Sequence, residues 1–203
     1  MTLKYFPFIS SAILYLMLSA CMQESASQKK ANPSIGEKQE NPVREIAEQA
    51  EADTLKGSLK AEAHGKIGSA NVKIMYHSPA VRDRVVWGGL VPFDRVWVTG
   101  AHSATSLQTD QELALGGKKL PAGKYAIFTI PGKKEWQFII NKNWQQHLAD
   151  NYSDKEDLIR ITLKAENMPD NQERLRYQIL TGSADEGEIV MSWEKVKVSL
   201  PVK

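Results

Sequence analysis

The chain has 203 residues, 42% of them hydrophobic and 25% charged, ordinary globular usage that excludes a fibrous or wholly disordered class and leaves room for one domain with ancillary segments. A formal net charge of +2, with no basic stripe, argues against a nucleic-acid partner, which calls for a strongly basic surface. The single cysteine excludes an intramolecular disulfide and any zinc site built on several thiolates.

At the N-terminus Lys4 precedes an apolar run, Tyr5 to Leu18, interrupted by Pro7, Ser10 and Ser11. That run suits the apolar region of a signal peptide and falls short of the roughly 20 residues a spanning helix needs. It ends Leu18-Ser19-Ala20-Cys21, which resembles the bacterial lipobox: an aliphatic residue, two small residues that let the extended chain enter the peptidase cleft, then the cysteine that is acylated. Residues 1–20 therefore read as a lipoprotein signal peptide and Cys21 as the lipidation site. The plain alternatives are a transmembrane anchor or an ordinary secretory signal with an incidental cysteine. Several acyl chains, each contributing about 0.8 kcal/mol per buried methylene, make such an attachment to the membrane effectively permanent. Met22 stands where an aspartate would favour inner-membrane retention, so the expected place is the cell envelope, at the outer membrane, on its periplasmic or surface face.

Met22 to Glu40 is polar and almost free of large apolar residues, so it cannot repay the entropy of folding and reads as a disordered tether. Asn41 as N-cap, Pro42 at the first helical position, Val43, Ile46, Ala47 and Ala50 at helical spacing, and Gly57 as a stop predict a short amphipathic helix. Residues 21–56 thus form the anchor, tether and helix, and residues 57–203 the domain.

Beyond Gly57 the period changes to two. Val72, Ile74 and Tyr76 alternate with Lys73, Met75 and His77, the pattern of a strand with one buried face. Lys124 to Pro131 and Trp136 to Lys142 are rich in aromatic and β-branched residues and flank Gly132 to Glu135, which predicts a hairpin. Further strands are expected at Leu59 to Ala63, Thr105 to Thr109, Leu113 to Leu115, Leu158 to Ala165, Arg174 to Leu180, Ile189 to Trp193 and Val196 to Leu200, punctuated by Gly116-Gly117, Pro121 to Gly123 and Asp185 to Gly187. Asn143 to Asp157 breaks the pattern and predicts a brief helix or irregular excursion. Many short strands indicate a mainly β fold, an antiparallel β-sandwich or barrel-like single domain.

Tyr76 to Thr105, YHSPAVRDRVVWGGLVPFDRVWVTGAHSAT, is too glycine-rich and irregular for a strand pair, and long ordered loops are uncommon without a function. Together with Gly116 to Lys142 and the closing Trp193-Glu194, this stretch resembles the bacterial family catalogued as domain of unknown function 2911, over roughly Ala61 to Leu200. The resemblance implies a fold and an exported, often lipid-modified setting, since the family is common in Bacteroidetes and relatives, but it brings no established activity. Of the family pattern the chain keeps Tyr76, Pro79, Arg84, Gly88, Leu90, Val91, Pro92, Trp97, Thr99, Gly100, Ala101, Ala104 and Thr105. It departs at His77 and Ser78, where the family has Ser-Arg, at Asp83, at Phe93 for Tyr, at Val98 for Arg and at His102 for Asn. Two positive charges are thereby lost, and histidines stand near the vacated places.

These residues set the candidate chemistry. His77 and His102, with Met75 or His64 as a further ligand, are candidates for a divalent metal, because neutral imidazole is the commonest metal ligand; the bland alternative is two ordinary loop histidines. A serine hydrolase is disfavoured, since Ser103 lacks a Gly-x-Ser-x-Gly elbow. Asp150, Asp154, Glu156 and Asp157 read as a solvated turn rather than an acid/base pair. Trp136 and Trp193 belong to strand patterns, whereas Trp87 and Trp97 flank the glycine-rich loop and either line a pocket or plug the end of the sandwich. Arg84 is the better of two arginines for a ligand-facing role, Arg82 being suited to the surface.

The expectation is thus an envelope lipoprotein, held to the membrane through lipid on Cys21. Its β domain binds a small molecule or envelope protein partner, with Tyr76, Arg84, Trp87, Trp97, Thr99 and His102 as ligand-binding residues. No catalytic set is identified, and no cofactor is expected unless a divalent ion is held by His77 and His102. The competing readings are a metal-dependent envelope enzyme or metal-binding protein, and a structural or assembly lipoprotein without a ligand site.

Overall fold

The fold is taken from a computed structural model that describes residues 55–203. The predicted signal peptide, Cys21, the polar tether and nearly all of the predicted helix from Asn41 lie outside the described residues. Leu55 to Gly57, the end of that segment, is non-helical chain.

Nine strands follow in sequence: β1 (Leu59–Ile67), β2 (Ala70–Ser78), β3 (Thr105–Thr109), β4 (Leu113–Leu115), β5 (Lys118–Leu120), β6 (Gly123–Ile130), β7 (Glu135–Asn141), β8 (Asp157–Thr181) and β9 (Gly187–Val202). They form one antiparallel sheet in the order β1-β2-β3-β6-β7-β8-β9-β4-β5, which is not closed into a barrel. The mainly β, antiparallel class expected from the period-two pattern is the class observed.

Local chemistry explains the hairpins. Ile67 pairs with Ala70 across a two-residue turn in which Gly68 has φ 57°. Gly116 and Gly117, at φ 53° and 81°, give the doubly left-handed turn that matches strand twist and joins β4 to β5. β5, three residues with two exposed lysines, is too short to show a period and escapes the sequence reading.

β8 and β9 are longer than expected. The predicted pairs of strands on either side of Met168 to Asn171 and of Glu194-Lys195 are each one strand. The breaker signal of Pro169-Asp170-Asn171 is absorbed by a bulge, in which Asn167 pairs with Val196 and Gln172 with Glu194 while Lys195 alone faces the intervening residues. Glu194 takes φ 52° at the kink. The first part of β8 pairs with β7 and the rest with β9, so this strand carries the sheet over onto itself. Where β1 meets the second part of β8, a Cβ on Gly65 would lie 2.5 Å from Cγ2 of Ile179, so only glycine permits this crossing, and Thr181 Oγ1 donates to the Lys66 carbonyl at 2.7 Å.

The main core lies inside the folded-over sheet and includes Ile74, Leu107, Leu115, Trp136, Leu175 and Trp193. A smaller cluster of Val98, Ala104, Ala126, Phe128 and Ile139 sits on the other side of β6 and β7, covered by Trp144, Ala149 and Tyr152. β6 and β7 are therefore buried on both faces, which is why their sequences run continuously apolar instead of alternating. The Asn143 to Asp157 segment that supplies this cover is irregular apart from one 3-10 turn at Asp154–Glu156.

Candidate functional site

The long loop between β2 and β3 buries Val81, Val86, Val91, Val98 and Thr99 and half-buries Trp87 and Trp97, while its arginines stay exposed. Tyr76, 8% exposed, meets the Tyr177 ring edge-on at 4.9 Å, and its hydroxyl accepts the Tyr177 backbone N–H at 3.3 Å. Burial raises the Tyr76 phenol above its ordinary pKa and raises that of Tyr177 far more. Tyr177 donates to the Thr99 carbonyl at 3.2 Å. Thr99 is wholly buried at φ 51°, its hydroxyl 3.0 Å from that of Thr129. Trp97 bridges to Thr129 through backbone bonds and donates its indole N–H to the Gly100 carbonyl at 3.0 Å.

Trp87 completes a cluster of four indoles, with ring centroids 4.8 Å from Trp136, 5.7 Å from Trp193 and 5.8 Å from Trp97. Such edge-to-face pairs contribute about 0.5–1.5 kcal/mol each beyond area burial. The buried indole N–H groups of Trp87 and Trp193 have no acceptor among the described residues. Of the residues singled out as ligand-binding, Trp97 and Thr99 pack into the fold, and Tyr76 packs against Tyr177 while also bordering the groove beside His77. Arg84 ties down its own loop, donating through Nε to the Val81 carbonyl at 3.0 Å and through Nη2 to that of Ala80 at 2.6 Å. Trp97, Arg84 and His102 line neither of the two grooves described below.

The two histidines do come together. His77 alternates with Tyr76 on β2 and so faces away from the main core, while His102, exposed and at φ 61°, brings its ring edge-on to His77 with centroids 5.1 Å apart. His77 borders a groove of 560 Å3 whose walls include Met75, Ser103, Lys124, Trp144 and Gln146. Lys124 Nζ lies 3.8 Å from the Trp144 ring centroid. Gln146 is 6% exposed; its Nε2 donates to the Asn143 carbonyl at 2.6 Å, but its buried Oε1 has no partner among the described residues. Desolvation, then the nearby charges of His102 and Lys60, hold His77 below the usual histidine pKa.

As a metal centre this pair lacks company. Among the described residues no three His, Cys, Asp or Glu side chains group so as to hold an ion. His64 instead bonds Glu62 at 2.9 Å, and Glu62 also pairs with Lys73 at 2.8 Å. The acidic run is likewise engaged elsewhere: the Asp157 carboxylate accepts bonds from Asn141, Tyr152 and Arg160.

A second groove, of 750 Å3, lies between the β6–β7 turn and the β8 bulge, where Trp87 and Phe93 meet a rim that includes Lys133, Lys164 and Glu194. Trp87 is the one member of this groove that the sequence flagged for a ligand. For the first groove, Lys124, Trp144 and Gln146 went unflagged. The signal that pointed to them is the break in strand pattern at Asn143 to Asp157, which lies beside the loop.

Comparison with family models matches residues 58–202 to a family described as protein of unknown function (DUF2911). No curated protein matches the chain, and no solved structure matches it.

Proposed function

The chain belongs to the DUF2911 family of proteins of unknown function, and on that footing we propose that it is a ligand-binding lipoprotein of the bacterial cell envelope, tethered through lipid on Cys21, whose β domain takes a small amphipathic molecule into the groove bordered by His77, next to His102. The observation that carries the reading is the meeting of these two imidazoles at 5.1 Å next to a groove whose wall includes Gln146, with its buried Oε1 lacking a donor among the described residues. A buried acceptor left unpaired costs about 1–3 kcal/mol, which a ligand N–H or O–H would offset on binding. The groove's 560 Å3 is within the roughly 300–1,000 Å3 usual for small-molecule sites. Met75 and Trp144 offer an apolar wall, while the His77 imidazole, Ser103 and Lys124 offer polar contacts, so the matching ligand has an apolar body and a polar edge. The loop that packs its tryptophans against the core also brings Ser103 to the groove and sets His102 against the His77 ring.

The contact of the two imidazoles also favours a second reading, a divalent ion held by His77 and His102 with the remaining positions filled by water or a bound molecule. Native mass spectrometry of the full-length protein, gently extracted from its own cells, separates the two. A non-protein species of defined mass on the wild type, lost in Gln146→Leu and His77→Ala, supports the small-molecule reading. One equivalent of metal by elemental analysis, lost in His77→Ala and His102→Ala, replaces it with the metal reading. If neither species is present, both readings fail.

A further inference from the structure

We propose that the second groove, away from the histidines, is a saccharide-binding cleft. Its aromatic floor is set before any ligand arrives. Trp87 is fixed by three neighbouring indoles at 4.8 to 5.8 Å, and Phe93 lies against Gly88, where a Cβ would approach to 2.9 Å. Both rings are half-buried, so each keeps surface in the groove, and holding them in place costs little further side-chain entropy on binding. Apolar ring surface of this kind is what the C–H face of a sugar covers.

The rim decides between ligand classes. Lys133, Lys134 and Lys164 supply donors, Glu135 and Glu194 supply acceptors, and Asn167 supplies both. None of these five charged groups has an ion-pair partner among the described residues, although Glu135 and Lys164 are cross-strand neighbours. An apolar anion would satisfy the ammonium groups but bring its charge against two carboxylates. Sugar hydroxyls donate and accept at once, so they match a mixed rim without that conflict. The bulge at Met168 to Asn171 and the kink at Glu194 place Asn167 and Glu194 at this rim, which gives the irregularity between β8 and β9 a use. The volume of 750 Å3 accommodates a short oligosaccharide rather than a single small ion.

The test titrates the intact protein with four probes, the hexaoses of β-1,4-linked N-acetylglucosamine, β-1,4-linked glucose, α-1,4-linked glucose and β-1,4-linked mannose, following tryptophan fluorescence and heat. At least one is expected to bind and to shift the emission. Phe93→Ala and Glu194→Gln should each weaken it by about tenfold, the loss of one stacking or charge-assisted contact. Circular dichroism checks that each variant is folded; because Trp87→Ala disturbs the core, the argument rests on the two rim-side variants. His77→Ala should leave these titrations unchanged, which keeps this cleft separate from the histidine groove. The proposal is overturned if none of the four sugars binds, if binding survives the Phe93→Ala/Glu194→Gln double variant, or if anilinonaphthalene sulfonate binds the cleft and no sugar displaces it.

Discussion

His77 and His102 meet because two backbone rules operate on either side of one loop. Alternation along β2 sends Tyr76 into the core and His77 out of it, and the left-handed conformation of His102 turns its ring back toward the strand. The first rule is legible in the sequence; the second is not, since a non-glycine residue at positive φ leaves no mark in composition. The same limit applies to Thr99, whose positive φ and complete burial make it a core hydrogen-bonding group where the sequence suggested ligand contact. The depressed His77 pKa has a direct consequence for stability. Above about pH 6.5 the imidazole is neutral in both folded and unfolded chains, and the native state keeps its full stability there. As the pH falls, the unfolded chain takes up the proton first, so stability declines from about pH 6.5 downward through the lower folded-state value. Urea midpoints measured at pH 7.5 and pH 5 should therefore differ less in His77→Gln than in the wild type. An unchanged difference would mean that desolvation and His102 do not act on this group.

At the scale of elements, the excursion between β7 and β8 is held by one polar knot. The Asp157 carboxylate, its side chain 9% exposed, accepts bonds from Asn141 Nδ2 at 2.8 Å, the Tyr152 hydroxyl at 2.8 Å and Arg160 Nη2 at 2.7 Å. Removing the acceptor takes a bond from each of three donors, of which Asn141 keeps the Ser153 carbonyl and Arg160 keeps the Tyr152 hydroxyl and solvent, so Asp157→Ala should cost about 2 kcal/mol in denaturant unfolding. Desolvation, then the bond to Asp157, pushes the Tyr152 pKa up to about 12. A phenol raised above its ordinary value of 10.0 contributes stability that is full below that pH and lost as the pH climbs toward about 12. Tyr152→Phe should lack this alkaline loss, read from unfolding midpoints between pH 9 and 11. None of this was readable beforehand, because an acidic run beside Tyr152 has the composition of an ordinary surface turn. The strands were more legible. β2, β6 and β7 follow directly from period and apolar content, whereas β8 and β9 each read as two strands because a bulge keeps the pairing going across residues that resemble breakers. The two grooves belong to neither class of signal, since each is made where elements far apart in sequence meet.

For the whole molecule, the segment that leads into the sheet decides how the domain is held. The chain enters the sheet at Leu55 to Gly57, and Arg174 fixes that entry by donating to the Leu55 carbonyl at 2.8 Å and the Gly57 carbonyl at 3.2 Å. Arg82, in the long loop, donates to the same Leu55 carbonyl. The entry of the chain is thus fastened to the β2–β3 loop and to β8, and a pull on the N-terminal segment is borne by these bonds and not by an edge strand alone. Under the lipoprotein reading that segment leads back to Cys21, and the attachment depends on acyl chains on a single sulfur, since nothing else in the segment from Met22 to Glu40 is apolar enough to hold a bilayer. Cys21→Ser removes the only acceptor for them. The variant should therefore leave the membrane fraction for the soluble periplasmic or medium fraction, or stay at the inner membrane as an unprocessed precursor. The N-terminal peptide of the wild type should carry the mass of diacylglyceryl cysteine, and that of the variant should not. Equal amounts of wild type and Cys21→Ser in the outer-membrane fraction, or an unmodified Cys21 thiol in native protein, would end the reading.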